Sequence, residues 1–252
     1  MIDLHCHILP EIDDGAVDIG VSVAMARMAV ADGIGTIACT PHIQPGVYKN
    51  TGESIAAAVG LLEDALAEAG IPLQLVIGAD AHLAPGMLGD LRSGHIPTLA
   101  GSRYFLFEPP HHVVPPRLHD FVFGLVTGGY VPILTHPERV SWIDSQYDLI
   151  KQLAVSGVLI QLTAGSIMGQ FGRRAKYWSE RLLSDGMVDL LATDAHDVTN
   201  RRPLLAAARE AVSRRFGDEM ATRLVATNPL CVLQNVILSD QRAPVDEQRI
   251  GN

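Results

Sequence analysis

A chain of 252 residues, 48% hydrophobic and 19% charged, is long enough for one large domain with a sizeable core and too apolar to be disordered. Its net charge of −9, from 19 Lys and Arg against 28 Asp and Glu, argues against non-specific nucleic-acid binding and against attraction to an anionic membrane surface. No apolar run reaches the roughly 18 residues of a membrane span; the longest candidate, 21–40, is broken by Arg27, Asp32, Gly33 and Gly35.

Short apolar runs alternate with longer amphipathic ones along the chain. A strand is predicted over 1–5 and a helix over 17–33, then a strand over 35–40 and a helix over 53–69. A strand over 73–78 precedes a helix over 85–94, and a strand over 104–107 precedes one over 115–128. The last three pairs are 131–135 with 145–156, 158–162 with 171–186, and 188–193 with 201–216, followed by a short helix near 218–226. Gly33, Gly70, Gly94, Gly157 and Gly186 each follow a helical pattern, where a glycine ends a helix. Seven strand-then-helix units imply parallel pairing with right-handed crossovers. A doubly wound sheet or a closed barrel would satisfy that order. The length favours a single α/β domain of TIM-like (β/α)7 barrel type over 1–238. So do the polar residues after nearly every strand, which a barrel gathers on one ring-shaped face. The polar segment 239–252, with Pro244, is expected to be a flexible tail.

Asp3, His5 and His7 occupy the place of a basic and then apolar leader, so no signal peptide is expected. Cys6, Cys39 and Cys231 are odd in number and widely spaced, which suits a reducing cytoplasm. None of the three has an arginine six residues on, where a cysteine phosphatase would place its phosphate-cradling loop; those positions hold Ile12, Pro45 and Ile237.

The predicted strand ends read His5-Cys6-His7 with Asp13-Asp14-Gly15, then Thr40-Pro41-His42, then Asp80-Ala81-His82, then Glu108-Pro109-Pro110. They continue as His136-Pro137-Glu138-Arg139, Gln161-Leu162-Thr163, and Asp194-Ala195-His196. Residues two apart on a strand point the same way, so His5 with His7, and Asp194 with His196, are placed to grip one cation. Imidazole and carboxylate together suit borderline divalent metals such as zinc, manganese, iron or nickel. A lone His-x-His is a weak signal, and Asp13-Asp14-Gly15 alone reads as a turn. Six of the seven strand ends carry His, Asp or Glu, and that conjunction points to a metal centre.

The segment 1–10 followed by Ile12-Asp13-Asp14-Gly15 resembles the CpsB/CapC branch of the PHP (polymerase and histidinol phosphatase) superfamily. Thr40-Pro41-His42, His136-Pro137-Glu138-Arg139, the stretch 161–172 (QLTAGSIMGQFG), Asp194-Ala195-His196 with Arg201, and Asn228-Pro229 match in order. The resemblance covers about 1–235. It implies a (β/α)7 barrel with three metals per chain, manganese first and zinc, iron, cobalt or nickel as alternatives. The implied ligands are His5, His7, Asp14, His42, Asp80, Glu108, His136, Asp194 and His196. Arg139 and Arg201 would hold the phosphate, with Arg202 adjacent to the second. No dedicated general acid stands out; His42 and His196 are candidates only if metal leaves them free. One departure is Asp80, where the family usually has Glu; His82, two residues on and on the same strand face, could compensate, though a solvated rim residue is the first expectation. The segment 108–116, with His111 and His112, is expected as a rim loop.

The activity implied is that of a metal-dependent protein-tyrosine phosphatase without a phosphoenzyme. Its substrate would be the Tyr-rich tail of a bacterial tyrosine kinase of capsule or exopolysaccharide synthesis, in the cytoplasm. A small-molecule phosphatase acting on a histidinol-phosphate-like ester or a nucleotide is one alternative. A metal-poor, non-catalytic binding partner is another. Oligomeric state is not legible from these residues.

Overall fold

The computed structural model describes residues 1–238; the segment expected as a polar tail lies outside the described residues. Strand β1 (Ile2–Cys6) pairs in parallel with β2 (Thr36–Cys39), and β2 with β5 (Gln74–Ile77). A second sheet runs β10 (Leu190–Ala192), β9 (Leu159–Thr163), β8 (Val131–Thr135), β7 (Tyr104–Glu108), β6 (Asp80–His82), β3 (His42–Gln44), β4 (Tyr48–Lys49). Its pairs are parallel except for the β3–β4 hairpin.

The two sheets share chain segments. Residues 40–41 join β2 to β3, and residues 78–79 join β5 to β6. Backbone hydrogen bonds cross these breaks, from Gly78 N to Cys39 O and from Asp80 N to Pro41 O, each 3.1 Å. Beyond β10, Asp194 N donates to His5 O and His7 N to Ala195 O, each at 2.8 Å, so the segment after β10 lies against β1. An isolated parallel bridge joins Cys6 and Ala195.

Helices α1 (Ile19–Ala31), α2 (Gly52–Glu68), α3 (Met87–Ser93), α4 (Leu118–Thr127) and α5 (Ile143–Val155) follow the strands. The chain continues with α6 (Ala164–Ile167), α7 (Gly172–Ser184), α8 (Ala206–Phe216), α9 (Asp218–Thr222) and α10 (Asn228–Leu233). Local chemistry fixes the starts of the first two: Asp18 accepts from Val21 N, and Thr51 forms a reciprocal cap with Ser54. Among the described residues no helix is long and apolar enough to cross a membrane.

Two apolar clusters hold the fold. The larger packs strand faces against helices, with Met25, Leu62, Phe105, Phe107, Leu134 and Ile160 fully buried. The smaller joins Leu4, Tyr104, Leu106, Ile133, Leu159 and Leu190 on the opposite faces of the strands. Strand period then places Glu108 above Leu106, and Gln161 above Leu159, on that second face. β1 gains one residue against β2 between Asp3 and Cys6, a bulge that turns both Leu4 and His5 to this side.

Several predicted boundaries move. The Pro45-Gly46 turn closes a β3–β4 hairpin where the sequence suggested only a strand end, with Gly46 at φ 82°. The helix predicted over 201–216 begins at Ala206, because Asp32 Oδ2, from the end of α1, accepts Leu205 N at 2.6 Å and Ala206 N at 2.8 Å. The helix predicted near 218–226 is α9, a π-helical turn at Arg223–Thr227, and then α10.

Candidate metal centre

The strand ends bring nearly every singled-out residue together. His5 and His7 point the same way, with Nε2 atoms 3.2 Å apart. Asp194 divides its oxygens: Oδ1 lies 3.4 Å from both His5 Nε2 and His7 Nε2, while Oδ2 meets Arg139 Nη1 and Arg201 Nη2. Asp80 Oδ2 lies 3.5 Å from both His5 Nε2 and His42 Nδ1, between the two imidazoles that a shared carboxylate would have to reach. Asp14 Oδ1 stands 3.6 Å from His42 Nε2 and 3.4 Å from His196 Nε2. Glu108 is ringed by His42, His82, His111 and His136.

Five overlapping groups have ligand atoms within 4.8 Å of one another: His7/Asp14/His42/His196, His5/His7/Asp80, His5/His136/Asp194, His42/His82/Glu108 and Glu108/His111/His136. Asp80 Oδ1 and Oδ2, His42 Nδ1, Glu108 Oε2, His136 Nδ1 and His196 Nε2 are buried with no hydrogen-bond partner. Each such buried atom costs about 1–3 kcal/mol if left unsatisfied. Imidazole and carboxylate atoms orphaned at such distances fit divalent cations, which would satisfy several at once.

The electrostatics agree. Burial pulls His7 down, but the Asp13 and Asp194 carboxylates push it up to about 10. Burial likewise opposes His5, which Asp194 and Asp80 push above its ordinary value. Burial and the charge on His7 hold His42 and His196 below theirs. Burial raises Glu108 and Asp194, but their histidine and arginine neighbours overcome it and hold both below the usual carboxylate range. His136 and Asp194 have φ of 32° and 52°, left-handed conformations that non-glycine residues adopt at a cost and that cluster at functional sites.

His82 is not a solvated rim residue: its side chain is 21% exposed, and Nε2 lies 2.7 Å from Glu108 Oε2 without hydrogen-bond alignment. His111 pairs with Glu108 Oε1 at 2.8 Å, while His112 is exposed beside it in the expected rim loop. Arg201 reaches Asp194, and Arg202 is exposed. Sequence reasoning missed Asp13, whose Oδ2 pairs with His7 Nδ1 at 2.7 Å and accepts His42 N at 3.0 Å. It also gave no role to the Gln161 side chain, whose Oε1 lies 2.8 Å from His5 Nδ1. Both hold imidazoles of the clustered groups through a ring nitrogen. An acidic residue six positions after His7 was the available signal for Asp13.

An α/β fold whose strand ends converge on overlapping His, Asp and Glu groups, flanked by two arginines, defines a protein with a multi-site metal-binding centre. A family model described as "Capsular polysaccharide synthesis, CpsB/CapC" matches residues 1–234, and the chain belongs to that family, a branch of the PHP superfamily. Tyrosine-protein phosphatase YwqE of Bacillus subtilis (strain 168) is 34% identical over 250 residues, 99% of this chain and 98% of that protein. A putative tyrosine-protein phosphatase CapC of Staphylococcus aureus is 30% identical over 242 residues, 96% of this chain and 94% of its own. A solved structure described under YwqE from Bacillus subtilis and CpsB from Streptococcus pneumoniae, "unique metal-dependent tyrosine phosphatases", superposes with TM-score 0.92 at 35% identity. That match covers 98% of this chain and all of the other.

Proposed function

We infer that the protein is a metal-dependent phosphomonoesterase that removes phosphate from tyrosine in proteins. The observation that carries this reading is Asp194, with one oxygen toward the histidines of the metal centre and the other toward Arg139 and Arg201. That carboxylate joins a cation site to a pair of phosphate-gripping forks.

We propose that the strands close into a (β/α)7 barrel and that three divalent ions, manganese first, occupy its ring of strand ends. His5, His7, Asp14, His42, Asp80, Glu108, His136, Asp194 and His196 would hold them, with His82 and His111 placed to complete the Glu108 side. Bound divalent metal supplies Lewis-acid polarisation of phosphoryl oxygens and activation of a water. Arg139 and Arg201 orient the remaining oxygens. His42 and His196, held neutral by burial and by His7, suit ligation better than proton donation. A phenolate leaves with a conjugate-acid pKa of about 10 and needs little acid assistance. A phosphoenzyme on Cys6 or Cys39 is disfavoured, because burial pushes both thiols up and both side chains are sealed in the core.

The protein substrate is proposed to be the tyrosine-rich tail of a bacterial tyrosine kinase that governs capsule or exopolysaccharide export, met in the cytoplasm. The test is hydrolysis of a phosphotyrosine peptide by metal-stripped protein titrated with manganese, beside a phosphoserine peptide. Manganese-restored release of phosphate from phosphotyrosine alone is expected. No turnover with manganese, zinc or cobalt would overturn the reading, and preference for a small phosphate ester would move it to the small-molecule alternative.

A further inference from the structure

The stretch 161–172 carries, one residue before its end, an aromatic side chain that metal ligation does not use. Phe171, half-buried between α6 and α7, lies under both arginines. The Arg139 guanidinium carbon is 4.4 Å from the ring centroid, and that of Arg201 is 6.0 Å away. The two arginines come from separate strand ends, after β8 and after β10. We propose that Phe171 is a positioning residue that holds Arg139 and Arg201 as a pair for phosphate; this rests on the reading that those arginines grip it.

Both guanidinium groups now spend an N–H on the same Asp194 oxygen. An incoming phosphate competes for those N–H edges. The contact with Phe171 uses the guanidinium face instead, so it survives the exchange and keeps both groups at the mouth while their edges change partner. The negative face of the ring also offsets the repulsion between two cations brought to one point.

The segment is built to fix that ring. Gln170 N donates to Gly165 O at 2.8 Å, closing the loop on itself. A Cβ at Gly165 would lie 2.8 Å from Phe171 Cε2 and 2.6 Å from Gln170 Oε1, so the ring sits flush on Gly165 and a larger residue there would displace it. Glu138 Oε1 accepts Thr163 N at 3.0 Å and ties the turn that carries Arg139 to the segment that carries Phe171. The 161–172 motif therefore has a physical role beyond marking the family branch: it delivers one aromatic face to two arginines.

The test measures competitive inhibition by inorganic phosphate, together with kcat and KM for a phosphotyrosine peptide, on the manganese-loaded full chain. Inorganic phosphate has no aryl group, so its Ki reads the arginines and not stacking of substrate on the ring. Phe171→Leu is expected to raise the phosphate Ki and the peptide KM together by about three- to tenfold, with a smaller change in kcat. Phe171→Tyr, which keeps the face, restores both. Gly165→Ala crowds the ring and reproduces the Ki rise, and it adds little on top of Phe171→Leu because both act through one group. A rise in peptide KM with phosphate Ki unchanged in both Phe171→Leu and Gly165→Ala overturns the proposal and places the ring against the substrate's aryl group. Arg139→Ala is the control for the underlying reading. An unchanged Ki there removes the arginine assignment itself, whereas a raised Ki beside an unaffected Phe171→Leu sinks only the role of the ring.

Discussion

Asp194 and Asp13 act on the same imidazole from opposite sides, and their loss should be felt differently. Asp194→Asn removes the charge shared by the metal centre and the arginines, and phosphotyrosine hydrolysis should fall at least about 100-fold. Arg139 and Arg201 side chains are 15% and 27% exposed, enough to turn to water, so circular dichroism should report a retained fold. Asp13→Ala leaves every proposed ligand in place but frees His7 Nδ1, and a manganese titration should show affinity weakened about 10–100-fold. Asp3, fully buried beneath the centre, carries a pH signature. Burial pushes its carboxyl from 3.8 up to about 6, against hydrogen bonds from Thr193 and His5. The folded state then keeps this proton to higher pH than the unfolded state. Its contribution is fully present below pH 3.8 and is lost as pH rises through about 6, by roughly 3 kcal/mol. Asp3→Asn cannot ionise, so its stability relative to the parent should climb between pH 4 and 7 in urea unfolding of metal-free protein; a flat difference would refute this. At this scale the clustered His, Asp and Glu residues were legible because residue type at the predicted strand ends marks them locally. The roles of Asp13, Gln161 and His111 were not, because they depend on which strand ends meet: Gln161 and His5 are 156 residues apart.

The turn after β1 shows how an element is tied to the centre. A Cβ at Gly15 would lie 2.1 Å from His7 O and 2.6 Å from His7 Cβ, and backbone cannot give way as a flexible side chain can. Gly15→Ala should lift the Asp13-Asp14 turn from β1, costing about 1–3 kcal/mol and lowering Tm by about 3–10 °C. Gly60, inside α2 with nothing within 4 Å of its Cβ position, is the matched control. Gly60→Ala should stabilise by up to about 1 kcal/mol through helix propensity alone. Melts of the two variants test whether close approach or backbone freedom sets the need for glycine. The order of strands and helices was readable from alternating apolar periods and from glycines at helix ends. The bulge in β1 was not, since a single added residue in a five-residue strand leaves no periodic trace. The start of α8 was equally hidden, because its cap, Asp32, arrives from the end of α1.

Across the whole molecule the centre is a concentration of unsatisfied polar atoms inside an otherwise apolar core, and this makes metal a folding ligand as well as a catalytic one. Ions that bind only the folded chain stabilise it by about 2.7 kcal/mol at a free concentration 100 times their Kd. For a chain of this size, that is about 5–10 °C in Tm. Stripping metal should therefore lower Tm by such an amount, and manganese should restore it with a logarithmic dependence on concentration. Proton release should accompany uptake, because the Asp13 and Asp194 carboxylates push His7 up to about 10 and ligation needs it neutral. Sodium chloride at matched ionic strength should not reproduce the rise, since screening acts weakly on buried charges. Asp194→Asn should keep only part of the manganese shift, because it removes one of the overlapping groups and leaves the Glu108 groups intact. A chain whose Tm ignores manganese while it still hydrolyses phosphotyrosine would show that its catalytic metal does not reside among these strand ends.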